Sequence, residues 1–139
     1  MNKTQQRLRP NSRLSHLAEI VDPPYRTIWD CCCDHGLLGM SLLKDGYADE
    51  VIFVDIVEDI LANLTTRLEH SFPQNQYNWQ VRCEDLKNIV VPPVDSQLFI
   101  IAGVGPHQTI EFINSLNASA PDTPFDLLVC SVHGSYSVR

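Results

Sequence analysis

Between Thr27 and Leu42 the chain changes character twice. An apolar pair, Ile28 and Trp29, ends on Asp30; Cys31 to Gly36 form a compact polar turn; and apolar residues at helical spacing begin at Leu37. This order is a strand, a tight turn and a helix, the opening unit of a nucleotide-binding α/β sheet. A helix start presents backbone N–H groups without intrahelical partners, so the polar tail of a ligand is at home there. A carboxylate at the strand end suits a ligand that also carries an amino group.

The rest of the chain repeats the pattern. Leu14, Leu17, Ala18 and Val21 are spaced as a helix, with Ser12 as its N-cap and Pro23-Pro24 as its stop. The first strand is expected over 27–31 and its helix over 37–44, ending at Asp45-Gly46. A strand over 51–55 ends in Asp55 and leads to a helix over 58–70. A short strand over 79–82 runs into Cys83-Glu84-Asp85. After Pro92-Pro93, the apolar run 98–102 is a strand, 103–106 a turn, and 109–116 its helix. A fifth strand follows over 127–131. Strands alternating with helices imply right-handed crossovers and a parallel sheet. An α/β sheet ending at its fifth strand leaves an apolar edge to cover. The expectation is therefore a shortened chain, or a domain that pairs with another chain, a homodimer being one form of such pairing.

Composition narrows the setting. The 139 residues suffice for one domain with a sizeable core, and 44% hydrophobic against 19% charged residues mark a globular chain. No apolar run reaches bilayer length, and the polar, basic N-terminus has no secretory pattern. A cytoplasmic location without membrane association is the expectation. Net charge is −7, the wrong sign for gripping phosphate backbones over the whole surface, yet Lys3, Arg7, Arg9 and Arg13 crowd the first thirteen residues. Such an arm suits local contact with RNA, or is a solvated face. Of the five cysteines, Cys31, Cys32 and Cys33 are adjacent and no CxxC pair exists, which argues against a disulfide framework. Adjacent cysteines on an extended segment point to opposite faces. That disfavours a zinc site from Cys33, His35 and a distant His107 or His133, and no metal is expected. Small side chains packing a tight turn account for them better.

Four strand ends carry polar or glycine-rich turns: Asp30 to Gly36, Asp55, Glu84-Asp85, and Gly103 to Gly105. In a parallel sheet these lie on one edge, where ligands bind. Asp55 stands 25 positions after Asp30, where a carboxylate meets ribose hydroxyls. Asp85 is placed to accept from an adenine amino group. A dinucleotide site wants G-x-G-x-x-G, but only Gly36 stands in the turn, and Asp30 and Asp34 would repel a pyrophosphate. The carboxylates favour S-adenosylmethionine, which has no phosphates and carries an ammonium and a sulfonium, over NAD.

Asp30-Cys31-Cys32-Cys33-Asp34-His35-Gly36-Leu37-Leu38 resembles the D-[IV]-G-[ST]-D-H-[AG]-Y-L stretch of the bacterial tRNA (adenine(22)-N1)-methyltransferases. Ser12-Arg13-Leu14 is similar to that family's S-x-R-L motif, Ile101-Ala102-Gly103-Val104-Gly105 to its I-A-G-M-G, and Asp85-Leu86 to its G-D-G-L. The resemblance runs over roughly residues 10 to 139. It implies a Rossmann-like class I methyltransferase three-layer sandwich with strand order 3-2-1-4-5, here ending after strand 5. Residues 1–26 would be a basic arm and helix, and 27–139 the S-adenosylmethionine-binding domain. Methyl transfer to N1 of an adenine in tRNA is the implied activity. Carried over by position, Arg13, Asp30, Cys32, Gly36, Asp55, Asp85, Gly103 and Val104 would bind the cofactor. Gly105 and His107 would face the substrate, and Asp34 and His35 would orient the adenine amino group or take a proton. The chain departs from the family at Cys32, which replaces a glycine, and at Pro106, which replaces another. Ending after strand 5, it would be expected to do without the helical C-terminal domain with which the family helps hold tRNA. A non-catalytic S-adenosyl-ligand or nucleotide-binding module working with a partner is the alternative.

Overall fold

A computed structural model describes residues 24–33 and 36–131. The expected basic arm, the helix over 12–22, and the candidates Arg13, Asp34 and His35 lie outside them. The described chain runs β1 (Tyr25–Cys31), α1 (Leu37–Lys44), β2 (Ala48–Asp55), α2 (Glu58–Ser71), β3 (Trp79–Cys83), a 3₁₀ turn (Leu86–Asn88), β4 (Gln97–Val104), α3 (Pro106–Ser119) and β5 (Asp126–Ser131). The five strands form one parallel sheet in the order β3-β2-β1-β4-β5, the order that the family resemblance implies.

Both faces of the sheet are covered, which is why its strands read as continuous apolar runs rather than alternating ones. Alternate side chains sort to opposite faces. Ile28, Val51, Phe53, Leu98 and Ile100 pack with Leu38, Leu42 and Leu43 of α1 and Leu61, Leu64 and Leu68 of α2. Trp29, Ile52, Val54, Phe99 and Ile101 pack with Phe112 and Leu116 of α3 and with Leu86, Ile89 and Val91 around the 3₁₀ turn. The result is three layers. The adjacent cysteines obey the same alternation: Cys31 is buried in the second cluster and Cys33 in the first.

Most elements extend one to three residues beyond the sequence reading, and three of these differences have a clear cause. β1 and β2 begin at Tyr25 and Ala48, earlier than their apolar runs, because these two residues open the β1–β2 ladder. β4 continues through Gly103 to Val104, residues read from sequence as a turn. Val104 pairs with Ser131 across a register shift that follows Ala102, and Gly103 takes a φ of 86°. Helix α3 then starts at once, because proline at the first helical position sacrifices no hydrogen bond. The 3₁₀ turn was not anticipated. Asp85 caps it, its Oδ1 accepting from the Lys87 N–H at 3.0 Å.

Candidate functional site

Register places the site. Cys31 sits beside Val54 on one side and Ile101 on the other, and Asp55 is level with Cys83. The turn after β1, the Asp55 corner, Glu84-Asp85 and the Gly103–Gly105 segment therefore share the C-terminal edge of the sheet. Backbone bonds tie them together: the Cys33 N–H donates to the Val54 carbonyl at 3.1 Å, and the Glu84 N–H to that of Asp55 at 3.0 Å.

The first turn is tight. Gly36 caps α1 in the left-handed region (φ 73°), and its N–H reaches back to the Cys33 carbonyl at 2.7 Å. A Cβ at Gly36 would also stand 2.6 Å from Leu64 Cδ1, so two requirements select glycine there. Cys32 also adopts a positive φ, 58°, without being glycine. That is the conformation its place in the motif demands, at a cost of about 1–2 kcal/mol.

Asp30 is 4% exposed. Its Oδ2 accepts from the Gly39 N–H, inside α1, at 3.0 Å. Burial outweighs that bond, and with the Asp55 charge nearby it lifts the carboxyl to about 7. Burial, then Asp55, Asp30 and Asp85, push the Cys32 thiol up to about 12. Three carboxylates thus surround this turn and act on one thiol. Burial foremost also holds Cys31 and Cys33 well above the ordinary thiol range, so these cysteines are poor nucleophiles at neutral pH. Asp55 is half-exposed; its Oδ1 accepts from the N–H groups of Ile56 (2.7 Å) and Val57 (3.2 Å), which fixes the carboxylate at the strand tip. On the other flank, Gly103 and His107 are exposed, and Val104 and Gly105 half-buried. Among the described residues, no group of three His, Cys, Asp or Glu side chains is placed to hold a metal ion.

Two features of this edge escaped the sequence reading. Ile56 and Val57, 62% and 44% exposed, stand directly after Asp55 and present apolar surface at the rim. Their signal was an apolar pair lying outside the strand pattern, just past its carboxylate. Gly39 is the other. It lies within a run of strong helix formers, and a glycine there marks close packing. A Cβ at this position would stand 2.6 Å from Asp30 Oδ2 and collide with the Phe53 ring. Gly39→Ala gains about 1 kcal/mol of helix propensity, but overpacking against an aromatic ring and a carboxylate costs about 1–3 kcal/mol. Thermal denaturation is expected to show a lower midpoint for this variant, whereas an alanine at an unpacked helical glycine would raise it.

The arrangement suits one kind of ligand. Carboxylates converge where the strand meets the helix, and a side chain occupies the turn position at which a pyrophosphate would need bare backbone. Charge at this edge favours a nucleoside with a cationic tail over a polyphosphate.

Known proteins of this architecture bear on the chain. TrmK from M. capricolum, solved with S-adenosyl-homocysteine, superposes with a TM-score of 0.68 at 19% identity, over 87% of this chain and 51% of its own. Sp1610 of Streptococcus pneumoniae, put forward as a tRNA (m1A22) methyltransferase and solved with S-adenosyl-L-methionine, gives 0.69 at 18% identity, over 84% of this chain and 54% of its own. A dimethyladenosine transferase from Plasmodium falciparum gives 0.67 at 19% identity, over 88% and 42%. The chain spans about half the length of such structures, and at these identities the likeness establishes the fold. No curated protein matches the sequence significantly. No helix among the described residues is long and apolar enough to cross a membrane. The family model for a methyltransferase domain matches residues 10–139, and the chain belongs to that family.

Proposed function

We propose that this chain binds S-adenosylmethionine at the C-terminal edge of its sheet and transfers the methyl group to N1 of an adenine in tRNA. The observation that carries the reading is the convergence of Asp30, Asp55 and Asp85 around the turn at Cys32. Membership of the methyltransferase-domain family and the Asp-His motif of the first turn support it. The tRNA part also draws on the distant structural likeness to TrmK and Sp1610.

The cofactor supplies an electrophilic methyl carbon on a sulfonium. Asp30, Cys32 and Gly36 hold the methionine end, with Arg13 closing over it. Asp55 takes the ribose hydroxyls, Asp85 accepts from the adenine amino group, and Ile56 lies against the adenine face. Adenine N1 already carries a lone pair, so the chain's work is alignment and electrostatics rather than deprotonation. The segment Gly103, Val104 and Gly105 carries little side-chain bulk, which lets the target base approach in line, with His107 on the substrate side. Asp34 and His35 orient the base's amino group or receive a proton after transfer. The RNA contact falls to the basic arm, because the edge itself is lined with carboxylates that repel phosphates.

The test is incubation of the chain with S-adenosylmethionine and unmodified tRNA, followed by nucleoside mass spectrometry and primer extension. The expected product is 1-methyladenosine at one position. Methylation of another nucleoside would overturn the substrate assignment. Cofactor binding without any transfer would leave a binding module in place of an enzyme.

A further inference from the structure

Asp30 is a buried acid with little to hold its charge. It is 4% exposed, and its one hydrogen bond among the described residues is the Gly39 N–H on Oδ2, which leaves Oδ1 without a partner there. Several groups face it. Helix α1 contributes the Gly39 N–H, and β2 the Asp55 carboxylate, which repels its charge. Its own turn contributes the thiols of Cys32 and Cys33, both held protonated, while the Cys31 thiol packs on the opposite face of the sheet. β4 faces it with Ile100; Asp34 and His35 of the same turn lie outside the described residues. A buried carboxylate in this setting either takes up a proton or acquires a cationic partner.

We propose that Asp30 is a proton-coupled counter-ion: it releases its proton when a ligand brings a cationic amino group to the strand edge, so that such ligands bind more weakly below neutral pH. The inference rests on the S-adenosyl reading of the site. It adds that the amino-acid tail, not the nucleoside, carries the pH dependence. The titration of the free carboxyl at about 7 puts the effect in the physiological range.

The experiment is calorimetric titration of the whole chain at pH 6, 7 and 8, in buffers of different ionisation enthalpy, which counts the protons released. Two probes are compared. S-adenosylhomocysteine carries the amino-acid tail, and 5′-methylthioadenosine is the same nucleoside without it. With the first probe, about one proton is expected to leave at pH 6, and affinity to fall about tenfold between pH 8 and pH 6. The second is expected to bind with no pH dependence. Asp30→Asn should abolish the proton release, which separates Asp30 from His35 as its source. The ligand-free protein offers a check that needs no variant to bind. A carboxyl raised from 3.8 to about 7 on folding stabilises the fold at low pH, and that contribution is lost as pH rises through about 7. Unfolding free energy should therefore decline from about pH 4 to about pH 7 and level off above it, and less so in Asp30→Asn. S-adenosylhomocysteine binding with no proton released at pH 6, or release that survives Asp30→Asn, overturns the proposal while leaving the cofactor site standing. If neither probe binds at any pH, the cofactor reading itself fails, and the proposal falls with it.

Discussion

Trp29→Ala is expected to remove about 3–5 kcal/mol of stability, the cost of truncating a large, fully buried aromatic. Trp29 has no exposed surface, and its ring stacks on Phe99 with centroids 4.9 Å apart and planes 13° from parallel. The Arg82 guanidinium lies over it at 5.1 Å and covers the edge of the core. The indole N–H donates to Gln97 Oε1 at 3.1 Å. Gln97, 1% exposed, then donates through Nε2 to the carbonyls of Pro92 (2.9 Å) and Val94 (3.0 Å). Trp29 thus anchors both a core layer and the Pro92–Val94 loop that delivers β4 to the sheet. Small domains have only about 5–15 kcal/mol to lose, so the variant should sit near its unfolding threshold. Urea denaturation checks this by a large drop in midpoint. Trp29→Phe, which keeps the ring and abandons the Gln97 bond, should cost about 1–3 kcal/mol.

Asp55→Ala is expected to weaken S-adenosylmethionine binding by about 1.5–3 kcal/mol, the range for hydrogen bonds to a charged group, or about ten- to a hundredfold in affinity. The Ile56 and Val57 N–H groups hold the carboxylate in place, so the ligand meets an acceptor that is already oriented. Asp55→Asn retains a carbonyl oxygen for those two donors but loses the charge, and should fall between wild type and alanine. Calorimetry measures all three. Equal affinities would remove Asp55 from the pocket.

Much of the architecture is legible because the three central strands carry apolar runs, Ile28-Trp29, Val51 to Val54 and Leu98 to Ala102, each followed at once by a carboxylate or glycine. Helix α1 is legible over 37–44, since the leucines and Met40 are helix formers, Gly39 apart, bounded by Gly36 and Asp45-Gly46. β4 was read two residues short at its far end, because Gly103 and Gly105 carry a turn signal that pairing with β5 overrides. The convergence of Asp30, Asp55 and Asp85 followed from their positions at strand ends. What one sequence withheld was the state of these groups. Nothing in the letters distinguishes an Asp30 open to solvent from one sealed under Gly39 and Phe53. The close approach at Gly39 is likewise a three-dimensional fact, decided by how α1 seats on β1 and β2.

Titration of S-adenosylmethionine into the purified chain, with NAD as competitor, tests the central claim most directly. The expected result is saturable one-to-one binding that Asp55→Ala weakens and NAD does not displace. A folded chain that takes up no S-adenosylmethionine, or that surrenders it to NAD, would contradict the assignment of this sheet edge as a methyl-donor site.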